Sequence, residues 1–301
     1  APSPMAPQKG VEPSAVGREA RVTELDDLVE SWINAAVVLS ECGWDGAQVH
    51  AAHGYLISSF LSPQANRRAD EYGGELENRA RLLLRVVRGI KAAVPSSFVL
   101  SVKIHCSDFL EGGFDYRECS KVCEWLVDAG VHLIEFSGSF APVLIARMTK
   151  QAAPDPVPDP APSGSPRSAV YFLDQVAAIK ASGACKGVPV AVTGGFVAMD
   201  QVQDALRSGA CDVVGIARPL CIHPSDLMER LADASPEKMV HIQRQRGLGE
   251  IFWYYYQFRR LGDGQEIDFD IKTKEAVADQ VAYHAAWAKE YRKTLRPESA
   301  L

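Results

Sequence analysis

Two histidines three residues apart, His50 and His53, and a tyrosine two residues further on, Tyr55, follow the short segment Ala47-Gln48-Val49-His50. Imidazoles at that spacing, placed at the end of a strand, can converge on one oxygen and stabilise negative charge that develops there. A phenol with an ordinary pKa of about 10 stays protonated at neutral pH and can serve as an acid. Polar and glycine-rich residues recur at the ends of later apolar runs: Lys103 and His105, Ser137 and Gly138, Thr193-Gly194-Gly195, and Gly215 to Arg218. Glycine turns that offer backbone N–H groups at strand ends suit a phosphate.

The elements that must position these residues alternate in type. Thr23 can cap a helix with acids from Glu24 to Asp27 in its first turn and Leu28, Val29, Trp32, Ile33, Ala36 and Val37 at spacings of three and four, ending near Gly43. Strands are expected over 47–50, 98–104, 131–136, 188–192 and 211–216, with helices over 76–94, 116–129, 171–181 and 199–207 between them. A loop from Ala153 to Ser168, rich in Pro, Asp, Ser and Gly, exceeds a routine connection, and such loops usually serve a site or move. Beyond Met239 the character changes. The run Trp253-Tyr254-Tyr255-Tyr256, then Phe258 to Leu261, leads through a break at Gly262–Gln265 to a helix over 272–293. These aromatics are expected to pack the tail onto the body of the protein, with a subunit contact as the alternative. The organisation reads as an irregular segment 1–22, a strand–helix domain 23–238 and a helical tail 239–301.

Alternation of strand and helix implies a parallel sheet covered by helices, which is either doubly wound or a closed TIM-type (β/α)8 barrel. No GxGxxG follows the first strand and no GxxxxGK[ST] occurs, so neither nucleotide fingerprint supports the open sheet. Polar residues gathered at the C-terminal ends of strands favour the barrel, whose chemistry collects at that face and whose last two strands often hold phosphate.

Composition narrows the function. With 38 Asp+Glu against 32 Lys+Arg and a net charge of -6, the chain offers no basic stripe for nucleic acid. No uninterrupted apolar run is long enough to span a membrane. Seven cysteines, an odd number without metal-ligand spacing, read as reduced and mostly buried thiols, and no metal site is expected. The first 17 residues lack the basic-then-apolar pattern of a secretory signal, so a cytoplasmic setting is expected.

The stretch from Gly43 to Leu56, with Phe60-Leu61-Ser62-Pro63, Asn66 to Gly74 and Glu77-Asn78-Arg79, resembles the Old Yellow Enzyme family of FMN-dependent ene-reductases, also called NADH:flavin oxidoreductases. The resemblance continues through Asp108 to Gly113, Ser137-Gly138, Thr193 to Phe196 and Gly215 to Pro219. It implies that His50 and His53 hold the substrate carbonyl oxygen while Tyr55 gives a proton to the α-carbon. Lys103 would stand near the flavin pyrimidine, and Gly194, Gly195, Ala217 and Arg218 would hold the flavin phosphate. Arg67, Asp70, Glu71, Tyr72, Glu77 and Arg79 would secure the loop-to-helix junction by ion pairs. The implied cofactors are FMN and NADPH or NADH, and the implied substrate is a small enone or related activated alkene.

One departure stands against the resemblance. The family barrel has eight strands, and this chain shows five, with too few residues before the first for three more units of about 30 residues each. An incomplete barrel of about five βα units plus C-terminal helices is therefore expected. That leaves three readings: a truncated ene-reductase domain, an active short form that completes its barrel through another subunit, as in a homo-oligomer, or through rearranged elements, or a non-catalytic or flavin-free member acting as a binding protein, lyase or isomerase. Exposed barrel edges or the aromatic tail would supply the oligomer contact.

Overall fold

The structure, a computed structural model, describes residues 1–3, 17–138, 172–196, 199–232 and 249–294. The long loop expected over 153–168 and the start of the tail at 239–248 lie outside them. The chain divides into two compact units, residues 1–196 with 202–215 and residues 197–201 with 216–301.

In the first unit, helix α1 (Val22–Glu41) is capped by Arg21, whose backbone N–H donates to the Glu24 carboxylate at 2.8 Å. Thr23, expected as the cap, lies inside the first turn. Glu24 reaches back to satisfy the orphan amide instead. Strand β1 (Gly46–Ala51) leads through α2 (Leu56–Leu61) to α3 (Leu76–Ala93). Helix α3 stops at Val94, whose φ of -109° and ψ of 156° are the extended conformation that Pro95 imposes on its predecessor. Gly89 lets α1 approach α3 closely, since a Cβ there would sit 2.4 Å from Ile33 Cδ1. Then follow β2 (Val99–His105), α4 (Tyr116–Asp128), β3 (Leu133–Ser137), α5 (Leu173–Ala181), β4 (Val190–Thr193), α6 (Met199–Arg207) and β5 (Val213–Gly215). Asp115 caps α4 by accepting the N–H groups of Arg117 and Glu118 at 2.9 Å, an arrangement worth about 1 kcal/mol.

The five strands are parallel and adjacent in chain order, β1-β2-β3-β4-β5. A doubly wound sheet reverses its order at a switch point, and this sheet does not. The architecture is an incomplete α/β barrel. Register then sorts the side chains onto two faces. Val49, Val102, Ile134 and Val190 form one apolar row and Ile104, Phe136 and Val192 the next, all buried. Burying each such side chain contributes about 1.5–3 kcal/mol. The alternate positions bear a different load: Gln48 pairs with Ser101, His50 with Lys103 and Lys103 with Glu135, while His105, Ser137 and Thr193 share a level. One face of the sheet holds the unit together and the other is polar.

In the second unit, α7 (Arg218–Ile222) and α8 (Leu227–Ala232) precede a helical hairpin of α9 (Gly249–Gly262) and α10 (Thr273–Thr294). Trp253 and Tyr254 pack with Ile222 and Ala276, and buried Gln257 bonds both the N–H and the C=O of Asp268 to close the turn. Of the tail aromatics, these two serve their own unit, whereas Tyr255 and Phe258 are exposed.

Candidate active site

The histidine pair is made by a turn that sequence pattern does not reveal. Tyr55 N–H donates to Ala52 C=O at 3.3 Å, and both residues between them are left-handed, His53 at φ 62° and Gly54 at φ 73°. Consecutive left-handed residues characterise the tight type I′ turn. Histidine is among the few side chains enriched in that region. The Ser58 hydroxyl pins the turn by donating to the carbonyls of Ala52 and Tyr55 at 3.0 and 2.9 Å, while Ile57, Phe60 and Leu61 anchor α2. The chain thus doubles back over the end of β1. The His50 and His53 rings lie 5.1 Å apart edge to face, and the His50 and Tyr55 rings 5.3 Å apart. His53 Nε2 lies 2.7 Å from Ser137 Oγ at the end of β3, which fixes the imidazole, and Tyr55 stays 61% exposed.

Burial, then the Lys103 charge, lowers the pKa of both imidazoles, with His53 pushed down to about 4. His53 is therefore neutral at pH 7, and a neutral ring presents one N–H and one lone pair. The unfolded chain takes up a proton near pH 6.5 that the folded site refuses until about pH 4. Its contribution to stability is full above pH 6.5 and is lost progressively as pH falls toward 4. An NMR titration of the His53 ring is expected to show a midpoint well below 5, near the 4 its surroundings impose; a midpoint above 6 would contradict this electrostatic account.

Lys103, the register partner of His50, donates to Glu135 at 2.6 Å. Gln48 donates to the same carboxylate at 2.8 Å, and Thr193 adds a further bond. Burial pushes the Glu135 carboxyl up, but the bonds from Lys103, Thr193 and Gln48 outweigh it and hold it below the usual range. Glu135 was not singled out from sequence. The signal was there: a lone acid inside an apolar strand, two positions from Ser137, must face a partner across the sheet.

The remaining expected residues fall in several places. Gly194 and Gly195 are left-handed at φ 109° and 85° beyond β4, and Gly194 N–H donates to Gly215 C=O at 3.2 Å. Ala217 caps α7 and Arg218 opens it, both in the second unit. His105 is fully buried with Nε2 3.0 Å from Asp108 Oδ1, and Asp108 also accepts the Phe114 N–H, so this pair closes the 106–114 loop. At the junction, Arg79 donates to the Gly74 and Leu61 carbonyls and pairs with Glu118. Asp70 pairs with Arg68, whereas the Arg67 backbone N–H donates to Ser3 Oγ. Among the described residues no cluster of His, Cys, Asp or Glu could hold a metal ion, and no helix is long and apolar enough to cross a membrane.

The sequence model of the NADH:flavin oxidoreductase / NADH oxidase family matches residues 1–238. The chain belongs to this family. It is 33% identical over 221 residues to the NADH-dependent flavin oxidoreductase iliE of Neonectria sp. (strain DH2), covering 73% of this chain and 28% of that protein. To the NADPH dehydrogenase of Bacillus pumilus (strain SAFR-032) it is 32% identical over 203 residues, or 67% of this chain and 53% of that one. Among solved structures, the old yellow enzyme homologue from Zymomonas mobilis superposes with a TM-score of 0.58 at 24% identity, covering 83% of this chain and 66% of that one. A 2-naphthoyl-CoA reductase complex gives a TM-score of 0.62 at 22% identity, over 87% and 36%. The structural likeness establishes the barrel fold of the family. The chain spans from 28% to about half the length of the first of these flavin oxidoreductase relatives.

Proposed function

We propose that this chain carries the site of an FMN-dependent oxidoreductase that reduces the activated C=C bond of α,β-unsaturated carbonyl compounds with NADH or NADPH. The observation that carries this reading is the convergence of His50, His53 and Tyr55 at the end of β1, with both imidazoles shifted toward the neutral form. Neutral imidazole N–H groups can donate to a carbonyl oxygen and strengthen as that oxygen gains enolate charge. The exposed Tyr55 phenol can deliver a proton to the α-carbon.

The donors present suit a flavin. Lys103 has three N–H groups and gives one to Glu135, and Gly194 and Gly195 shape a left-handed turn at a strand end. Since Gly194 N–H is spent on Gly215, this turn would offer the phosphate its Gly195 N–H. FMN, when bound, supplies the hydride chemistry between nicotinamide and alkene.

Titrating the purified chain with FMN, followed by quenching of flavin fluorescence, tests the reading. Saturable binding in the micromolar range is expected, with oxidation of NADH or NADPH that depends on cyclohexenone. Absence of binding at that concentration would sink it. Residues 23–238 remain our proposed barrel domain and 239–301 the proposed tail. Exposed Tyr255, Phe258, Trp287 and Tyr291 support association of two copies through that tail. Buried thiols at Cys119, Cys123, Cys185 and Cys211 support a reducing, cytoplasmic setting.

A further inference from the structure

We propose that Glu135 is a positioning residue that fixes the Lys103 ammonium on the polar face of the sheet and thereby sets the charge a bound flavin ring meets. The anchoring rests on geometry alone; the effect on flavin rests on the function proposed above. Glu135 lies on β3 in register with Lys103 on β2, and takes bonds from three other strands: Lys103 at 2.6 Å, Gln48 of β1 at 2.8 Å, and Thr193 of β4. Its strand neighbour on the other side is Ala191, too small to compete for the carboxylate.

The Lys103 and Glu135 side chains are only 19% and 15% exposed. A lysine carries its charge on a flexible four-carbon stem and would otherwise swing toward water. Held at Glu135, the ammonium keeps two donors for another acceptor and remains beside His50, its partner in β1. Removing only the Glu135 charge leaves the ammonium unbalanced, which favours an anionic reduced ring over a neutral oxidised one.

The first test needs no flavin. Lysines of the FMN-free protein are labelled with trace acetic anhydride and compared by mass spectrometry. Glu135→Ala is expected to raise Lys103 labelling about tenfold or more, the loss of one hydrogen bond to a charged group. Lys180, held by Asp212 at 2.7 Å in the same unit, serves as the reference and should not change. An unchanged ratio of Lys103 to Lys180 labelling overturns the anchoring. If both rise, the sheet has loosened, and the isosteric Glu135→Gln variant decides by the same ratio, with Glu135→Asp expected to restore part of the protection. The second test loads FMN and measures its potential. Glu135→Gln is expected to raise the affinity ratio of reduced to oxidised flavin about tenfold, or about 30 mV for a two-electron couple. An unmoved potential overturns the effect on flavin. Failure of the wild-type chain to take FMN would overturn both that effect and the proposed function, while the labelling would still decide the anchoring.

Discussion

Replacing His53 with glycine is expected to lower kcat/KM for an α,β-unsaturated ketone by about 10²–10³, the cost of removing one preorganised donor from a developing oxyanion. Glycine is the substitution of choice because position 53 sits at φ 62°. Alanine would add backbone strain to the loss of the imidazole and confuse the two. The loss should fall mainly on kcat, since the donor acts more strongly on the enolate than on the ground-state carbonyl. His53→Asn, which tolerates the left-handed backbone and offers an amide N–H, should recover part of it. Reduction of the bound flavin by NADH or NADPH, followed at the flavin absorbance with no ketone present, should fall less than turnover with the ketone, because the proposed role of His53, beside His50 and Ser137, is toward the carbonyl. A loss below about threefold would remove His53 from the site, being smaller than one hydrogen bond contributes.

The second large effect concerns stability. Arg79→Ala is expected to destabilise the protein by about 3 kcal/mol, the lower end for breaking a buried ion pair. The lower end applies because Arg79 is 5% exposed but its partner Glu118 is 30% exposed. The same guanidinium also donates to the carbonyls of Leu61 and Gly74, which lose a donor when it is removed. It thus joins the end of α2, the loop before α3 and the first turn of α4. Urea unfolding should show a lower midpoint with an unchanged slope. Arg79→Lys should rescue little, since an ammonium cannot reproduce a planar fork directed at three acceptors. A change below about 1 kcal/mol would mean that the junction holds without this residue.

The alternation of elements was legible because each apolar run carried one period, as in Val102, Ile104, Ile134 and Phe136. The five- and six-residue helices α2, α7 and α8 were not legible, being too short to display a helical period. At the site, His50, His53 and Tyr55 were readable from type and spacing, but the turn that gathers them depends on φ values that a histidine does not advertise. That Asp70 pairs with Arg68, a residue outside the set read from sequence, depends on where the backbone aims Arg67 and Arg68. Lys103 stood out as a cation, whereas Glu135 became visible only once register placed it opposite.

The polar face also bears on how the sheet folds. Side chains alternate with period two, so sliding β3 past β2 by one residue would turn Glu135 into the layer of Val102 and Ile104 and push Ile134 and Phe136 onto the polar side. That slip would bury a carboxylate without its lysine, which penalises it far more than an exchange among apolar residues would. The Lys103–Glu135 pair therefore works as a proofreading mark: a misaligned sheet would be betrayed by an orphaned charge, and the residues placed for chemistry also help decide which alignment survives.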